Sequence, residues 1–315
     1  EDVLRLAMRF LDADREHQAD AEQQHRDDTD ADQLLRQADQ AMYGAKLSGK
    51  NRYQLFDDAH DRTLRVKNES IGRLRQALAL APFTQASIGV SEGVRQALIE
   101  RGFPPERCIA ILNGIALEKF PDSLLPATWQ EREPAILMAA RFGRQKDHAT
   151  LLRALALLKA QGLQPRLYLA GAGSTRLRKQ MERLAHTLGL HEQVVFLGKV
   201  ADVPQRLAKT QVFVLATHWE GMPLALVEAM AAGCACITSD APGAREVLQH
   251  QHDGLIVAHA NPAALAHALE QLLTQPDYAA QLGTQARRTA LTRYGDEQMA
   301  QRYQALLDMP LLPAT

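Results

Sequence analysis

From about residue 84 onward, this 315-residue chain alternates between short apolar runs and stretches with apolar residues at helical spacing. Apolar runs of this length are typical of strands, and the stretches between them predict helices. The predicted strands cover residues 86–90, 109–112, 135–140, 166–170, 194–197, 212–216, 235–238 and 254–257. The predicted helices between them include residues 148–160, 174–188, 224–232 and 262–273.

These predicted strands are almost continuously apolar, as in ILMAA at 136–140 and VFVLA at 212–216. Such a strand is buried on both faces, which is typical of a parallel sheet covered by helices on each side. Right-handed crossovers then favour a doubly wound, Rossmann-like α/β domain. Ligands bind such sheets at the carboxyl ends of the strands, so the turns that follow the strands are expected to hold the functional residues.

The first 83 residues have a different character. Residues 1–31 are acidic and rich in glutamine, with ten acidic and four basic side chains. Helical spacing of apolar residues predicts one helix over 32–47 and a second over about 58–80, which Pro82 ends. We therefore predict a mainly helical segment over 1–83 that precedes the α/β domain at 84–315.

Composition narrows the class of protein. Hydrophobic residues make up 46% of the chain, and the net charge of −1 favours neither nucleic acid nor an anionic membrane as a partner. Three cysteines, Cys108, Cys234 and Cys236, form no metal-ligand pattern, and their odd number argues against a disulfide framework. The sequence shows no apolar run of the roughly 18 residues that a membrane span needs and no signal-peptide pattern. We expect a cytoplasmic protein, with peripheral membrane association left open.

The turn after the strand at 135–140 contains two cations, Arg141 and Lys146. Together they could hold a diphosphate, the guanidinium by paired hydrogen bonds and the ammonium as a point charge. From spacing alone, two solvated surface cations are an equally good interpretation.

The turn after 166–170 reads Gly171-Ala172-Gly173-Ser174. Glycines allow a backbone to approach a ligand closely, and the helix N-terminus beyond them favours an anion. A tight connection from strand to helix, with no ligand, is the more common explanation of such a turn and accounts for Gly171 and Gly173 as well.

The turn after 212–216 leads through Glu220 and Gly221 into a predicted helix that contains Glu228. The backbone of residues 221–225, a stretch that includes Met222, Pro223 and Leu224, is expected to present unpaired N–H groups to phosphate or sugar oxygens. Glu228 lies among apolar helix residues, where a carboxylate needs a partner such as ribose hydroxyls. The alternative is that Glu220 caps the helix and Glu228 is exposed.

These turns lie within a stretch, 134–293, that resembles the C-terminal domain of family 4 glycosyltransferases, which have the two-domain GT-B fold. The resemblance is carried by five segments in family order: ILMAARFGRQKDHATLLRAL (136–155), LYLAGAGS (167–174), VVFLGKVADVPQRLA (194–208), VFVLATHWEGMPLALVEAMAAGCACITSDAPGAREVL (212–248) and DGLIVAHANPAALAHAL (253–269). Residues 87–120 are similar to the last unit of the family's first domain, and 294–308 to its terminal helix.

The resemblance implies roles for individual residues. Arg141 and Lys146 hold the donor diphosphate, Glu220 contacts the donor sugar with help from amides 221–225, Glu228 binds the ribose, and Lys199 with Val200 lies beside the base. It further implies a UDP-sugar or GDP-sugar donor, retention of anomeric configuration, and no metal or cofactor. Ala116 replaces the aspartate that the family usually has after Asn-Gly-Ile, which concerns a local interdomain contact and not the donor site.

Residues 31–62 resemble the C-terminal end of a GGDEF (diguanylate cyclase) domain, and 62–78 are similar to the linker that precedes an EAL domain. The GGDEF signature itself is absent from the sequence, so cyclase activity is not expected. Residues 1–83 also lack the buried strands of the acceptor-binding first domain that family 4 enzymes carry.

Three hypotheses follow. The chain is a hexosyltransferase that acts on a glycan or glycolipid; or a nucleotide-sugar-binding module without turnover, because the acceptor domain is missing; or a signalling remnant that self-associates or binds a partner through residues 1–120.

Overall fold

The computed structural model describes residues 53–56 and 86–308. The helices predicted over 32–47 and 58–80, and nearly all of the GGDEF-like segment, lie outside the described residues. Within them the chain divides into two compact units, one holding residues 53–56, 86–112 and 297–308 and the other holding Asn113–Asp296.

The first unit contains a parallel sheet of β1 (Tyr53–Phe56), β2 (Ala86–Gly89) and β3 (Cys108–Ala110) in that order. Helix α1 (Glu92–Glu100) follows β2 and begins where the Ser91 hydroxyl accepts a hydrogen bond from the Val94 backbone N–H. Ala86 and Ile88 of β2 pack in one cluster with Ile111 and with Met299 and Leu306, which lie in the helix at residues 296–307.

The second unit is built on a six-stranded sheet. Its strands are β4 (Glu133–Ala139), β5 (Leu167–Ala170), β6 (Val194–Gly198), β7 (Thr210–Leu215), β8 (Ala235–Ser239) and β9 (Leu255–Val257). All pair in parallel, in the order β6-β5-β4-β7-β8-β9. This order is that of the dinucleotide-binding Rossmann fold, in which ligands bind where the strand order reverses. Here the reversal lies between β4 and β7, and the predicted doubly wound α/β fold is confirmed.

The helices that connect these strands are α2 (His148–Ala160), α3 (Thr175–Thr187), α4 (Val203–Lys209) and α5 (Leu224–Ala231). After β9 come α6 (Pro262–Thr274), α7 (Pro276–Arg293) and α8 (Asp296–Leu307). Asp147, Ser174 and Asn261 cap α2, α3 and α6, each accepting a hydrogen bond from the backbone N–H three residues ahead. No helix in the described ranges is both long and apolar enough to cross a membrane.

The central strands explain the unbroken apolar pattern of the sequence. Ile136, Leu137 and Met138 of β4 and Val212 and Phe213 of β7 are all at most 1% exposed, so both faces of the sheet are covered. Burying side chains on both faces excludes polar residues from the middle of these strands. The polar residues of β4 and β7, namely Glu133, Thr210 and Gln211, lie at the beginnings of the strands, and further polar groups lie in the turns after them.

Candidate functional site

The turns after β4 and β7 are bound to each other by main-chain contacts. Lys146 and Thr217 form an isolated antiparallel bridge. The His218 N–H donates to the Gln145 carbonyl at 2.8 Å, and the Asp147 N–H donates to the Ala216 carbonyl at 2.9 Å. The two turns at the switch point therefore form one structure, although more than seventy residues separate them in sequence.

At the centre of this structure, Lys146 and Glu220 form an ion pair. The Lys146 Nζ lies 2.5 Å from Glu220 Oε1, and the two side chains are 14% and 6% exposed. Two of the predicted site residues are thus in direct contact, and their roles toward a ligand stay predictions. Glu220 does not cap α5, which was the alternative drawn from the sequence, because its carboxylate is turned toward the β4 turn.

Two neutral side chains complete the shell around the Glu220 carboxylate. The Gln145 Nε2 donates to Glu220 Oε2 at 2.9 Å and to the Trp219 carbonyl at 2.7 Å. The Thr217 Oγ1 lies 2.7 Å from Glu220 Oε1. The backbone of the same turn is held by the loop after β8, since the Glu220 N–H donates to the Pro242 carbonyl at 2.9 Å.

Helix α5 begins at the predicted residue, Leu224, and Pro223 occupies the cap position before it. The Met222 side chain is buried, and its sulfur accepts the Asn113 N–H at 3.0 Å. Gly221, Met222 and Pro223 are buried and Leu224 and Ala225 are half-buried, so contact between a ligand and the backbone N–H groups of this stretch stays a prediction.

Glu228 lies one turn into α5. It is half-buried, whereas Leu226, Val227, Ala229 and Met230 are fully buried against the sheet. Glu228 is therefore the one residue among 226–230 that is not fully buried.

Gly171 and Gly173 are required by the packing of the β5 turn against the β4 turn. A Cβ on Gly171 would lie 2.1 Å from the Ala140 carbonyl oxygen, and one on Gly173 would lie 2.8 Å from Phe142 backbone atoms. Both residues also have positive φ, 149° and 117°. The tight-connection interpretation explains why these two positions are glycine, and close approach to a ligand stays a prediction.

The remaining predicted residues lie along the same edge of the sheet. Arg141 is half-buried just beyond β4; Lys199 is exposed and Val200 half-buried just beyond β6. Because β5 lies between β6 and β4, Lys199 starts about 10 Å from the β4 turn at the usual strand spacing. The order along the edge is thus Lys199 and Val200, then the glycine turn, then Arg141 and Lys146, then Glu220.

The sequence interpretation missed a buried histidine behind the β4 turn. His148 is 3% exposed and stacks on Phe142 with ring centroids 4.4 Å apart. Burial lowers the pKa of His148 from its ordinary 6.5 to about 4, so the imidazole is neutral near pH 7. A neutral ring beside the turn adds no charge that would compete with Lys146 for an anion.

Gln145 and Thr217 were also missed, although each has a signal in the sequence. Gln145 directly precedes Lys146, and Thr217 is the second residue after β7, a position where a polar side chain meets the ligand edge of the sheet. Together the arrangement offers a cation for phosphate oxygens, a charged acceptor for hydroxyl groups, and the N–H groups at the start of α5, which begins four residues after Glu220.

Comparison with known proteins agrees with this geometry. The family described as "Glycosyl transferases group 1" matches residues 126–289. The putative glycosyltransferase EpsD of Bacillus subtilis is 31% identical over 185 residues, which cover 58% of this chain and 48% of EpsD. A Campylobacter jejuni N-acetylgalactosaminyltransferase, named for a diphospho-undecaprenol substrate, is 30% identical over 58% of this chain and 49% of its own. The chain spans about half the length of these curated relatives.

Among solved structures, Anabaena HepE in complex with UDP-glucose superimposes with a TM-score of 0.68 at 24% identity, over 76% of this chain and 68% of HepE. At this identity the likeness concerns the fold. The family match covers more than half of the chain and contains every strand of the six-stranded sheet, and so the chain belongs to the glycosyl transferases group 1 family.

Proposed function

We propose that Asn113–Asp296 bind a nucleotide-sugar donor and serve the transfer of its hexosyl group, with retention of anomeric configuration and without a metal. The observation that carries the proposal is the Lys146–Glu220 ion pair at the switch point between β4 and β7. It places a cation and a charged hydrogen-bond acceptor side by side where Rossmann-type sheets bind their ligands.

The diphosphate lies at the β4 turn in this proposal. The Lys146 ammonium has three donors, and Glu220 is its acceptor among the described residues, which leaves two N–H groups for phosphate oxygens. Arg141, half-buried on the same turn, supplies the second cation. Charge that develops on the departing diphosphate is stabilised by these cations and by the N–H groups at the start of α5.

The rest of the donor follows the order of the strands. Glu220 accepts from hydroxyl groups of the sugar, Glu228 binds the ribose, and Lys199 and Val200 lie beside the base. UDP-sugars and GDP-sugars both fit this scheme. The HepE structures, in complex with UDP and UDP-glucose, favour a uracil nucleotide by analogy of fold.

A glycan or a lipid-linked glycan is the proposed acceptor. Two Campylobacter jejuni relatives carry names that specify diphospho-undecaprenol-linked substrates. An acceptor of that kind would bring the protein to the membrane surface. Transfer also requires groups that exclude water and orient the acceptor, so donor binding without turnover is the alternative for residues 113–296 taken by themselves.

Calorimetric titration with UDP, GDP, UDP-glucose and GDP-mannose tests the proposal. One nucleotide class should saturate the protein, and Lys146→Ala and Glu228→Gln should each weaken binding at least tenfold, since a hydrogen bond to a charged group contributes about 1.5–3 kcal/mol. Lys209→Ala is the matched control, because Lys209 is exposed just before β7, at the opposite end of the sheet. If the folded protein binds no nucleotide, the proposal is wrong.

The GGDEF-like segment supports a second, separate proposal of self-association or partner binding through residues 1–120. Deletion of residues 1–80 should then abolish dimerisation, measured by light scattering, and leave nucleotide affinity unchanged. A chain that is monomeric with and without this segment would exclude self-association.

A further inference from the structure

We propose that Gln145 and Thr217 are positioning residues that leave Glu220 with one open acceptor position, on Oε2, for a single hydroxyl group of the donor sugar. This inference rests on the proposed function and specifies how Glu220 binds the donor sugar. It is carried by the hydrogen bonds around one carboxylate.

The two carboxylate oxygens of Glu220 differ in the number of hydrogen bonds that they accept. A carboxylate accepts about four hydrogen bonds, two on each oxygen. Glu220 Oε1 is in contact with the Lys146 Nζ at 2.5 Å and with the Thr217 Oγ1 at 2.7 Å. Among the described residues, Oε2 accepts from the Gln145 Nε2 alone, at 2.9 Å. Oε1 is therefore full, and Oε2 has room for one more donor.

The orientation of the Gln145 amide is set by its two hydrogen-bond acceptors. Both N–H groups of its amide are used, one on Glu220 Oε2 and the other on the Trp219 carbonyl at 2.7 Å. Turning the amide over would set its oxygen against a carboxylate and a carbonyl, both of them acceptors, so the orientation is determined by its neighbours. The amide thereby fixes which lone pair of Oε2 stays open.

Thr217, the other neutral neighbour of Glu220, is fully buried. Its hydroxyl proton has three oxygen neighbours, Glu220 Oε1 at 2.7 Å and the carbonyls of Gln145 and Trp219 at 3.0 and 3.2 Å. The carboxylate is both the nearest and the only charged acceptor of the three, which makes it the favoured partner. The Thr217 backbone N–H donates to the Ser239 hydroxyl at 3.1 Å, so Ser239 of β8 helps to hold Thr217 in place.

The consequence is selectivity for hydroxyl geometry. Because the carboxylate is fixed from three sides, it cannot turn to follow a hydroxyl group that points elsewhere. UDP and GDP, which lack the donor hexose, cannot donate a hydroxyl group to this position. The two positioning residues should therefore matter for the nucleotide sugar and not for the free nucleotide.

The test compares nucleotide and nucleotide-sugar affinity by calorimetry in Thr217→Val and Gln145→Met, using UDP with UDP-glucose and GDP with GDP-mannose. We expect nucleotide-sugar binding to weaken about tenfold, the value of one hydrogen bond to a charged group, while nucleotide binding changes less than twofold. Thr217→Ser keeps the hydroxyl and should restore nucleotide-sugar affinity to within threefold of the wild-type protein.

Two controls share the chemistry of the variants, but their hydrogen bonds are made to groups other than Glu220. Thr238→Val removes a buried hydroxyl that donates to the Leu215 carbonyl, and Gln193→Met removes an amide that donates to the Pro165 carbonyl near the start of β6. Neither variant should weaken nucleotide-sugar binding more than it weakens nucleotide binding.

Three results would overturn the inference. Equal weakening of nucleotide and nucleotide sugar would show that the variants disturb the whole site. Failure of Thr217→Ser to rescue would show that the hydroxyl is not the active group. If the wild-type protein bound the nucleotide and the nucleotide sugar with equal affinity, Glu220 would make no stabilising contact with the hexose. Absence of nucleotide binding would instead refute the proposed function.

Discussion

Gly243 lies directly against the backbone of Glu220. A Cβ placed on Gly243 would be 2.1 Å from the Glu220 carbonyl oxygen and 2.8 Å from that of Gly221, and Gly243 has a φ of +76°. Both the space and the backbone conformation therefore require glycine. The loop after β8 thus supports the turn that carries the candidate sugar-binding carboxylate.

Substitution of Gly243 by alanine should weaken nucleotide-sugar binding. The added methyl group cannot fit without moving residues 220 and 221, and the left-handed conformation alone costs about 1–2 kcal/mol. Thermal unfolding and calorimetric titration measure the two effects. Gly162→Ala is the control, because Gly162 has a φ of +86° but a Cβ there meets nothing within 4 Å. Equal affinity in the two variants would mean that Gly243 does not position Glu220.

The stability of the protein should fall on acidification through His148. Burial holds the pKa of His148 at about 4 in the folded protein, against an ordinary 6.5, so the unfolded chain takes up more protons between these values. Stability from this group is therefore full above about pH 6.5 and declines by about 2 kcal/mol at pH 5. Urea unfolding at pH 7.5, 6.5 and 5 measures the decline.

His148→Phe keeps a ring stacked on Phe142 and removes the titrating group, so its stability should depend less on pH in this range. The exposed His191 provides the control, since His191→Gln should leave the pH dependence as in the wild-type protein. The same slope in His148→Phe and the wild-type protein would assign the acid sensitivity to other groups.

The fold could be predicted from the sequence because buried parallel strands have an unmistakable apolar pattern. Helix α2 begins and ends at the predicted residues, since Asp147 caps it and its apolar spacing is regular. Helices α4 and α7 were not among the predicted helices; α4 has only seven residues, and α7 contains Gly283 and many polar residues. Both signals are weak at the level of sequence alone.

The contacts of the site could be predicted less well. Lys146 and Glu220 were both expected at strand ends, but their pairing depends on β7 lying beside β4, which no local pattern reveals. The same reason hid Gln145, whose partners are 74 and 75 residues away. The burial of His148 likewise depends on packing from the neighbouring turn.

The cysteines should be unreactive in the folded protein. All three are buried and free, and burial raises the pKa of Cys108, Cys234 and Cys236, that of Cys234 to about 12. Since the thiolate is the reactive form, a disulfide-exchange reagent at pH 8 should label almost none of the native protein and three thiols per chain in denaturant. Fast labelling of the native protein would show that one of these thiols is accessible.

Arg287 should stabilise the second unit without serving the donor site. Its guanidinium donates to the carbonyls of Ala231 and Phe120 and forms an ion pair with Asp122 at 2.6 Å, and its side chain is 14% exposed. Arg287→Ala leaves two carbonyl groups without their donor and should lower the free energy of unfolding by about 3 kcal/mol.

The Asp122 arm of this contact should contribute little, because that carboxylate is 94% exposed and solvent screens the pair. Asp122→Asn is therefore the matched variant, and its unfolding midpoint in urea should stay close to that of the wild-type protein. Nucleotide affinity should be unchanged in both variants, since Arg287 lies on α7 and contacts the end of α5 opposite its ligand-facing start. A large loss of stability in Asp122→Asn would show that the ion pair, and not the two carbonyl contacts, is what Arg287 contributes.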